Sequence, residues 1–185
     1  IDHRYFRVTA QGIGNGFAVS AVVGKKEILR LIDDGAFVST TFGGEAVSLA
    51  AALKTLEIME RPETFPYVIA LGELWMNEVK KLVVQKGLEK TLDFYGVSPH
   101  CGITFKATGN LQPNDLFSVY QQTLFDSGIL SLGVNNFCLA HTAEEVLVFI
   151  AAVNVALDQV KKAVLQDSVQ GMLKGEKFRP VFGRR

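Results

Sequence analysis

The chain has 185 residues, with nineteen Lys and Arg set against nineteen Asp and Glu, and 48% apolar against 21% charged residues. That balance suits one packed domain, or one plus part of another. It argues against a disordered chain and leaves no charge field to draw in nucleic acid or an anionic membrane surface. No apolar run reaches the ~18 residues of a membrane span, nothing at the start resembles a secretory signal, and Cys101 and Cys138 lie in apolar stretches, as buried free thiols of a cytoplasmic protein would.

In chain order the pattern alternates in the manner of an α/β protein. Phe17 to Val23 reads as a buried strand ended by Gly24, and Lys25 to Asp33 as a helix carrying Ile28, Leu31 and Ile32 at helical spacing. Phe37 to Thr41 reads as extended. Gly44 to Met59 predicts a helix with a broad apolar face of Val47, Ala50, Ala51, Leu53, Leu56 and Ile58, ended by Arg61-Pro62. Pro62 to Pro66 forms the expected hinge between residues 1–61 and 62–185. Pro66 to Lys86 is a second helix whose stripe is Leu71, Leu74, Trp75, Val79, Leu82 and Val83, with Gly87 as its stop.

Leu92 to Val97 and Cys101 to Lys106 read as strands around Ser98-Pro99-His100. Leu116, Phe117, Tyr120 and Leu124 mark the core side of a helix ending at Gly128. Ile129 to Leu132 and Asn136 to Ala140 read as short strands. Thr142-Ala143-Glu144-Glu145 is a capping box, in which the Thr hydroxyl accepts from the third amide and the Glu reaches back. It opens a helix to about Gln166 with Val146, Phe149, Ile150, Val153, Leu157, Val160 and Val164 along one face. The basic residues of the tail, Lys174, Lys177, Arg179, Arg184 and Arg185, are scattered as on a solvated terminus.

Few side chains suggest chemistry by spacing. Gly12, Gly14 and Gly16 lack the strand-loop-helix context and the spacing of a nucleotide loop, so Asn15-Gly16 is read as a tight turn tolerating positive φ. His3, His100 and His141 stand apart from carboxylates and cysteines at ligand spacing, so no metal site is expected. Ser20, Ser48 and the cysteines have no nucleophile motif around them.

The segment Ala10-Gln11-Gly12-Ile13-Gly14-Asn15-Gly16-Phe17-Ala18-Val19-Ser20 is the most informative in the chain. It resembles the active-site segment of class III, fold-type-I aminotransferases dependent on pyridoxal phosphate (PLP), above all the glutamate-1-semialdehyde aminomutase-like branch. There the segment reads Gly-Lys-Ala-Ile-(Ala/Gly)-Asn-Gly-Phe-Pro-(Ile/Val)-Ser. The resemblance continues through Gly24-Lys25-Lys26-Glu27-Ile28, Thr40-Thr41-Phe42-Gly43-Gly44-Glu45 with Ser48-Leu49-Ala50-Ala51-Ala52, and Ile129 to Thr142. It closes with Gly175 to Phe182. It fades in Ile1 to Thr9.

The resemblance implies an α/β fold: the end of a PLP-transferase large domain in residues 1–61, and a C-terminal small domain with a small, largely antiparallel sheet in residues 62–185. It implies a parent activity of PLP-dependent amino-group transfer or 1,2-amino migration, in which a lysine forms the Schiff base with PLP. Gln11 occupies that lysine's position, and a carboxamide cannot condense with an aldehyde. The chain starts ten residues before Gln11, so the family's earlier cofactor-binding groups are expected to be missing, and no PLP is expected to be held.

Thr41 matches a family threonine that donates to the PLP phosphate of the neighbouring subunit, a use suited to a helix N-terminus. In this chain Thr40 or Thr41 capping the following helix is the preferred reading. The expected activity is therefore an aminotransferase-like chain without competence on its own. The alternative is a non-catalytic module that self-associates, as the dimeric family does, or pairs with a separate N-terminal half. A chain without the large-domain sheet would expose the apolar sides of Val19-Ala21-Val22-Val23 and of the Gly44 helix.

Overall fold

The computed structural model describes residues 6–10, 12–35, 37 and 43–179, which form two compact units, Ile1–Thr64 and Phe65–Arg185. Strand β1 (Phe6–Ala10) pairs antiparallel with β2 (Ser20–Gly24), from Phe6 opposite Gly24 to Ala10 opposite Ser20. The strand expected over Phe17 to Val23 is therefore shifted toward the C-terminus, because Gly12 to Phe17 are spent on turns. It is also not buried. It belongs to a two-stranded sheet, and Val22 and Val23 are exposed.

The expected Lys25–Asp33 helix is one short helical turn, α1 (Lys26–Leu29), passing into a 3-10 turn at Arg30–Ile32; Leu31 and Ile32 are exposed. Most of the predicted Phe37 to Thr41 extended segment lies outside the described residues.

Helix α2 (Ala46–Met59) forms where the alanine-rich run predicts it. Its burial differs from the expectation. The small residues Ser48 and Ala52 are buried, whereas Val47, Leu49, Leu53, Leu56 and Met59 are exposed. The helix is apolar on nearly every side, so periodicity gave no unique inward stripe.

The second unit holds one continuous core. Helix α3 (Thr64–Lys86) starts two residues before Pro66, with the Thr64 hydroxyl donating to the Ile58 carbonyl at 2.6 Å and the Pro seated in the first turn. Leu71, Trp75, Val79 and Val83 are buried along it. Gly72 has no room for a side chain: an added Cβ would lie 2.3 Å from Ser98 Oγ and 3.1 Å from Pro99 Cα. This close approach brings α3 against the turn joining β3 (Leu92–Val97) to β4 (His100–Phe105).

The sheet has the order β3-β4-β5, all antiparallel, with β5 (Val134–Asn136) beside His100 to Gly102. Central β4 buries Cys101, Gly102, Ile103 and Phe105. The two strands expected after Gly128 reduce to this one short strand. Leu130 and Leu132 are exposed, and the segment is tied by Tyr95 Oη donating to the Gly133 carbonyl at 2.9 Å.

Helix α4 (Pro113–Asp126) packs Leu116, Val119, Tyr120 and Leu124 into the core. Helix α5 (Ala143–Gln166) buries Val146, Val153, Leu157 and Val160, with Phe149, Ile150 and Val164 partly buried. Thr142 Oγ1 accepts from Glu145 N at 3.2 Å, and Glu145 Oε2 accepts from Thr142 N at 2.8 Å, which completes the capping box. At the other end Asp167 adopts a left-handed φ of 47° and accepts from Asn110 N at 2.7 Å.

The described part of the tail, up to Arg179, is docked rather than loosely solvated; Arg184 and Arg185 lie outside the described residues. Lys174 Nζ pairs with Asp126 at 2.7 Å, Lys177 Nζ with Asp115 at 2.6 Å, and the Phe178 ring meets Phe117 edge-on at 4.8 Å. Two acidic residues on α4 thus dock a segment whose lysines look unpaired in sequence.

Candidate functional site

Gln11 and Thr41, the two positions the resemblance selects, both lie outside the described residues. Their immediate neighbours are described. After Gln11 the chain folds into successive turns: Asn15 N donates to the Gly12 carbonyl at 3.3 Å and Phe17 N to the Gly14 carbonyl at 3.1 Å. Asn15 (φ 48°) and Gly16 (φ 100°) both take positive φ, as a type I′ turn requires. The glycines therefore serve turn geometry. Gly14 is additionally crowded, since a Cβ there would lie 2.5 Å from Val19 Cγ1.

After Thr41, Gly44 turns the chain with φ 81° and Glu45 becomes the N-cap of α2. Its Oε1 accepts from Val47 N at 2.8 Å and its Oε2 from Ser48 N at 2.7 Å. The cap is thus Glu45 rather than Thr40 or Thr41, because its side chain reaches the second and third amides from directly before the helix. The bond with the Ser48 side chain, and then the Val47 and Ser48 amides, hold the Glu45 carboxyl below its ordinary range. An anion is therefore already supplied to this helix end by the chain itself.

In the second unit one cavity of about 500 Å³ is lined by Ser131, Asn135, Phe137, His141, Glu145 and Phe149, among others. Phe149 stacks on Trp75 at 5.7 Å, and Trp75 also meets Phe137 and Phe94 at 6.5 Å, so an aromatic cluster backs one wall. Cys138 is exposed, against the expectation of two buried thiols, and lies beside His141; Cys101 is buried in β4. Sequence reading left Cys138 and His141 apart. Their spacing of three residues just before a helix cap is the signal that could have joined them. Among the described residues no group of three or more His, Cys, Asp and Glu is placed to hold a metal ion, and no helix is long and apolar enough to cross a membrane.

No protein-family model matches the chain. It is 30% identical over 154 residues to a 3-aminobutyryl-CoA aminotransferase of Cloacimonas acidaminovorans, covering 82% of this chain and 37% of the relative. It is 26% identical over 166 residues to a glutamate-1-semialdehyde 2,1-aminomutase of Nitrosopumilus maritimus, covering 82% and 39%. The fold matches a solved transaminase with PLP bound at a TM-score of 0.76 and 17% identity, over 86% of this chain and 39% of that one. The chain thus spans under two fifths of the length of each. It is similar in sequence to aminotransferases and aminomutases, and it has the α/β fold of part of a PLP-bound transaminase.

Proposed function

We propose that the chain derives from the PLP-dependent aminotransferases, in the glutamate-1-semialdehyde aminomutase-like branch, and does not itself transfer amino groups. One observation carries this reading: Gln11 stands where the resembling segment has lysine, four residues before the Asn15-Gly16 turn that keeps the two in register. PLP chemistry begins with an amine held on the protein, and a carboxamide is not nucleophilic enough to replace it. The donor set does not fit covalently held PLP, and the first free amides of α2 are taken by Glu45. Residues 1–61 are read as the counterpart of the end of a large domain and 62–185 as a small domain, a reading motivated by the compact units 1–64 and 65–185. The two free cysteines fit a cytoplasmic setting.

The test is a PLP titration of the purified chain, followed by dialysis, borohydride reduction and mass mapping, beside a transamination assay with several amino donors. The expected result is no retained cofactor, no reduced adduct on a particular lysine and no product. Turnover, or a single reduced lysine, would overturn the reading.

A second reading, self-association, is favoured by the exposed Val47, Leu49, Leu53, Leu56 and Met59 on α2. Contiguous apolar surface of this kind is ordinarily covered by a partner. Sedimentation velocity across a hundredfold concentration range should show a dimer, and Leu53→Glu should shift it to monomer. A monomer at every concentration would refute it.

A further inference from the structure

The backbone N–H of Cys138 donates to His141 Nδ1 at 3.1 Å, and Cys138 Sγ lies 3.3 Å from the same nitrogen. A backbone amide can only donate, so Nδ1 is the bare nitrogen of the ring and Nε2 carries the proton. That one lone pair is shared between the Cys138 amide and the exposed Cys138 thiol, both within reach of it. The loop is fixed from several sides. Tyr67 Oη donates to the His141 carbonyl at 2.7 Å, the Phe137 and His141 rings meet edge-on at 6.0 Å, and the Thr142 cap follows at once.

His141 also lines the cavity of about 500 Å³. In that lining Asn135 is only 8% exposed, and its carboxamide makes no hydrogen bond to a described residue. A carboxamide that lines a cavity without a protein partner is a group a ligand can engage.

We propose that Cys138 and His141 form a thiol-exchange site for small disulfides with peptide-like, amide-bearing bodies that seat in this cavity. In the forward step His141 Nδ1 takes the thiol proton while the sulfur attacks one sulfur of the disulfide. The bond from Cys138 to that sulfur forms, the disulfide bond breaks, and the departing thiolate leaves with the proton that His141 returns. The incoming disulfide is the oxidant, and the products are one mixed disulfide and one free thiol. As the proton arrives, the bond from the Cys138 amide gives way to a charge-assisted N–H to thiolate bond, which is the stronger of the two. Cys101 is the internal control. It is 0% exposed, and burial pushes its thiol up. Cys138, His141 and Asn135 all belong to the second unit, and Gln11 to the first.

The experiment treats the reduced full chain with glutathione disulfide at neutral pH and follows the adduct by mass mapping and rate. The expected adduct lies on Cys138 and not on Cys101, at least about tenfold faster than on free cysteine. His141→Asn should lower the rate at least about tenfold, a threshold set below the roughly hundredfold low end for a positioned base. Tyr67→Phe, which loosens the loop without removing the base, should stay within about twofold. Asn135→Ala should slow glutathione disulfide but not hydroxyethyl disulfide, which has no amide. No acceleration over free cysteine in the unaltered chain, or a His141→Asn rate within twofold of it, would overturn the exchange site. An equal effect of Asn135→Ala on both disulfides would overturn the ligand class.

Discussion

Replacing Asp115 tests whether the start of α4 and the docking of the tail are held by one carboxylate. Asp115 is 7% exposed; its Oδ2 accepts from Gln112 N at 2.9 Å and its Oδ1 pairs with Lys177 Nζ at 2.6 Å. Asp115→Ala leaves the Gln112 amide without its partner, a loss of about 1 kcal/mol for a helix-start bond. The Lys177 side chain is 54% exposed, so solvent screening discounts the ion pair to about 0.5 kcal/mol. The sum, about 1.5 kcal/mol, lowers Tm by roughly 6 °C for a unit of this size. Urea unfolding followed by the emission of Trp75, the single tryptophan, reads this unit directly, because Trp75 lies in its core. Asp115→Asn keeps an acceptor for Gln112 and should cost only about 0.5 kcal/mol. The Lys177 bond, set against desolvation, holds the Asp115 carboxyl below its ordinary range. The charge-dependent part of its contribution is therefore full above the unfolded value near 4 and is lost as pH falls through the lower folded value. A cost below about 0.5 kcal/mol for Asp115→Ala, or a gap to Asp115→Asn that widens on acidification, would refute the reasoning.

Three further outcomes are expected. Trp75 Nε1 is buried without a hydrogen-bond partner, so Trp75→Phe removes an unsatisfied donor along with packed area. It should change stability by less than about 1 kcal/mol, against about 3–5 for Trp75→Ala, by urea unfolding read in far-UV circular dichroism; equal costs would contradict this. Thr142→Ala removes the hydroxyl accepting from Glu145 N and should cost about 1 kcal/mol in the same assay. The Glu45 carboxyl, held below its ordinary range, should protect the Val47 and Ser48 amides from hydrogen exchange at neutral pH and release them as pH falls through its folded value. Glu45→Gln should show weaker protection with no such pH step, after correction for intrinsic exchange.

What could be read from the residues depended on how strongly one physical signal dominated. The long helices α3 and α5 were legible because Trp75, Val79, Leu157 and Val160 repeat at helical spacing, and a complete capping box announces where α5 begins. The mixed α/β class and the small antiparallel sheet were legible too, through the resemblance. The face of α2 was not, because alanines and leucines surround it and only packing chooses among them. Leu130 and Leu132 carry strand-like composition yet lie exposed, since a neighbouring strand is needed to make a ladder and Tyr95 ties Gly133 elsewhere. Around the site, the turn at Asn15-Gly16 followed from local chemistry alone. The Glu45 cap was masked by two nearby threonines that are the more usual choice. The pairing of Cys138 with His141 needed a loop conformation that no periodicity encodes.

The docked tail has a consequence for how the molecule breathes. Lys174 N donates to Gln122 Oε1, Gln122 Nε2 to the Met172 carbonyl, and Phe178 N to Ser118 Oγ, so every one of these ties ends on a side chain of α4 and none is fully buried. A segment held this way can peel from its helix while the sheet and α5 stay closed, with an opening free energy well below that of the whole unit. Trypsin at a concentration that spares the rest of the second unit should therefore cut first after Lys174 and Lys177, and faster as salt screens the pairs to Asp126 and Asp115.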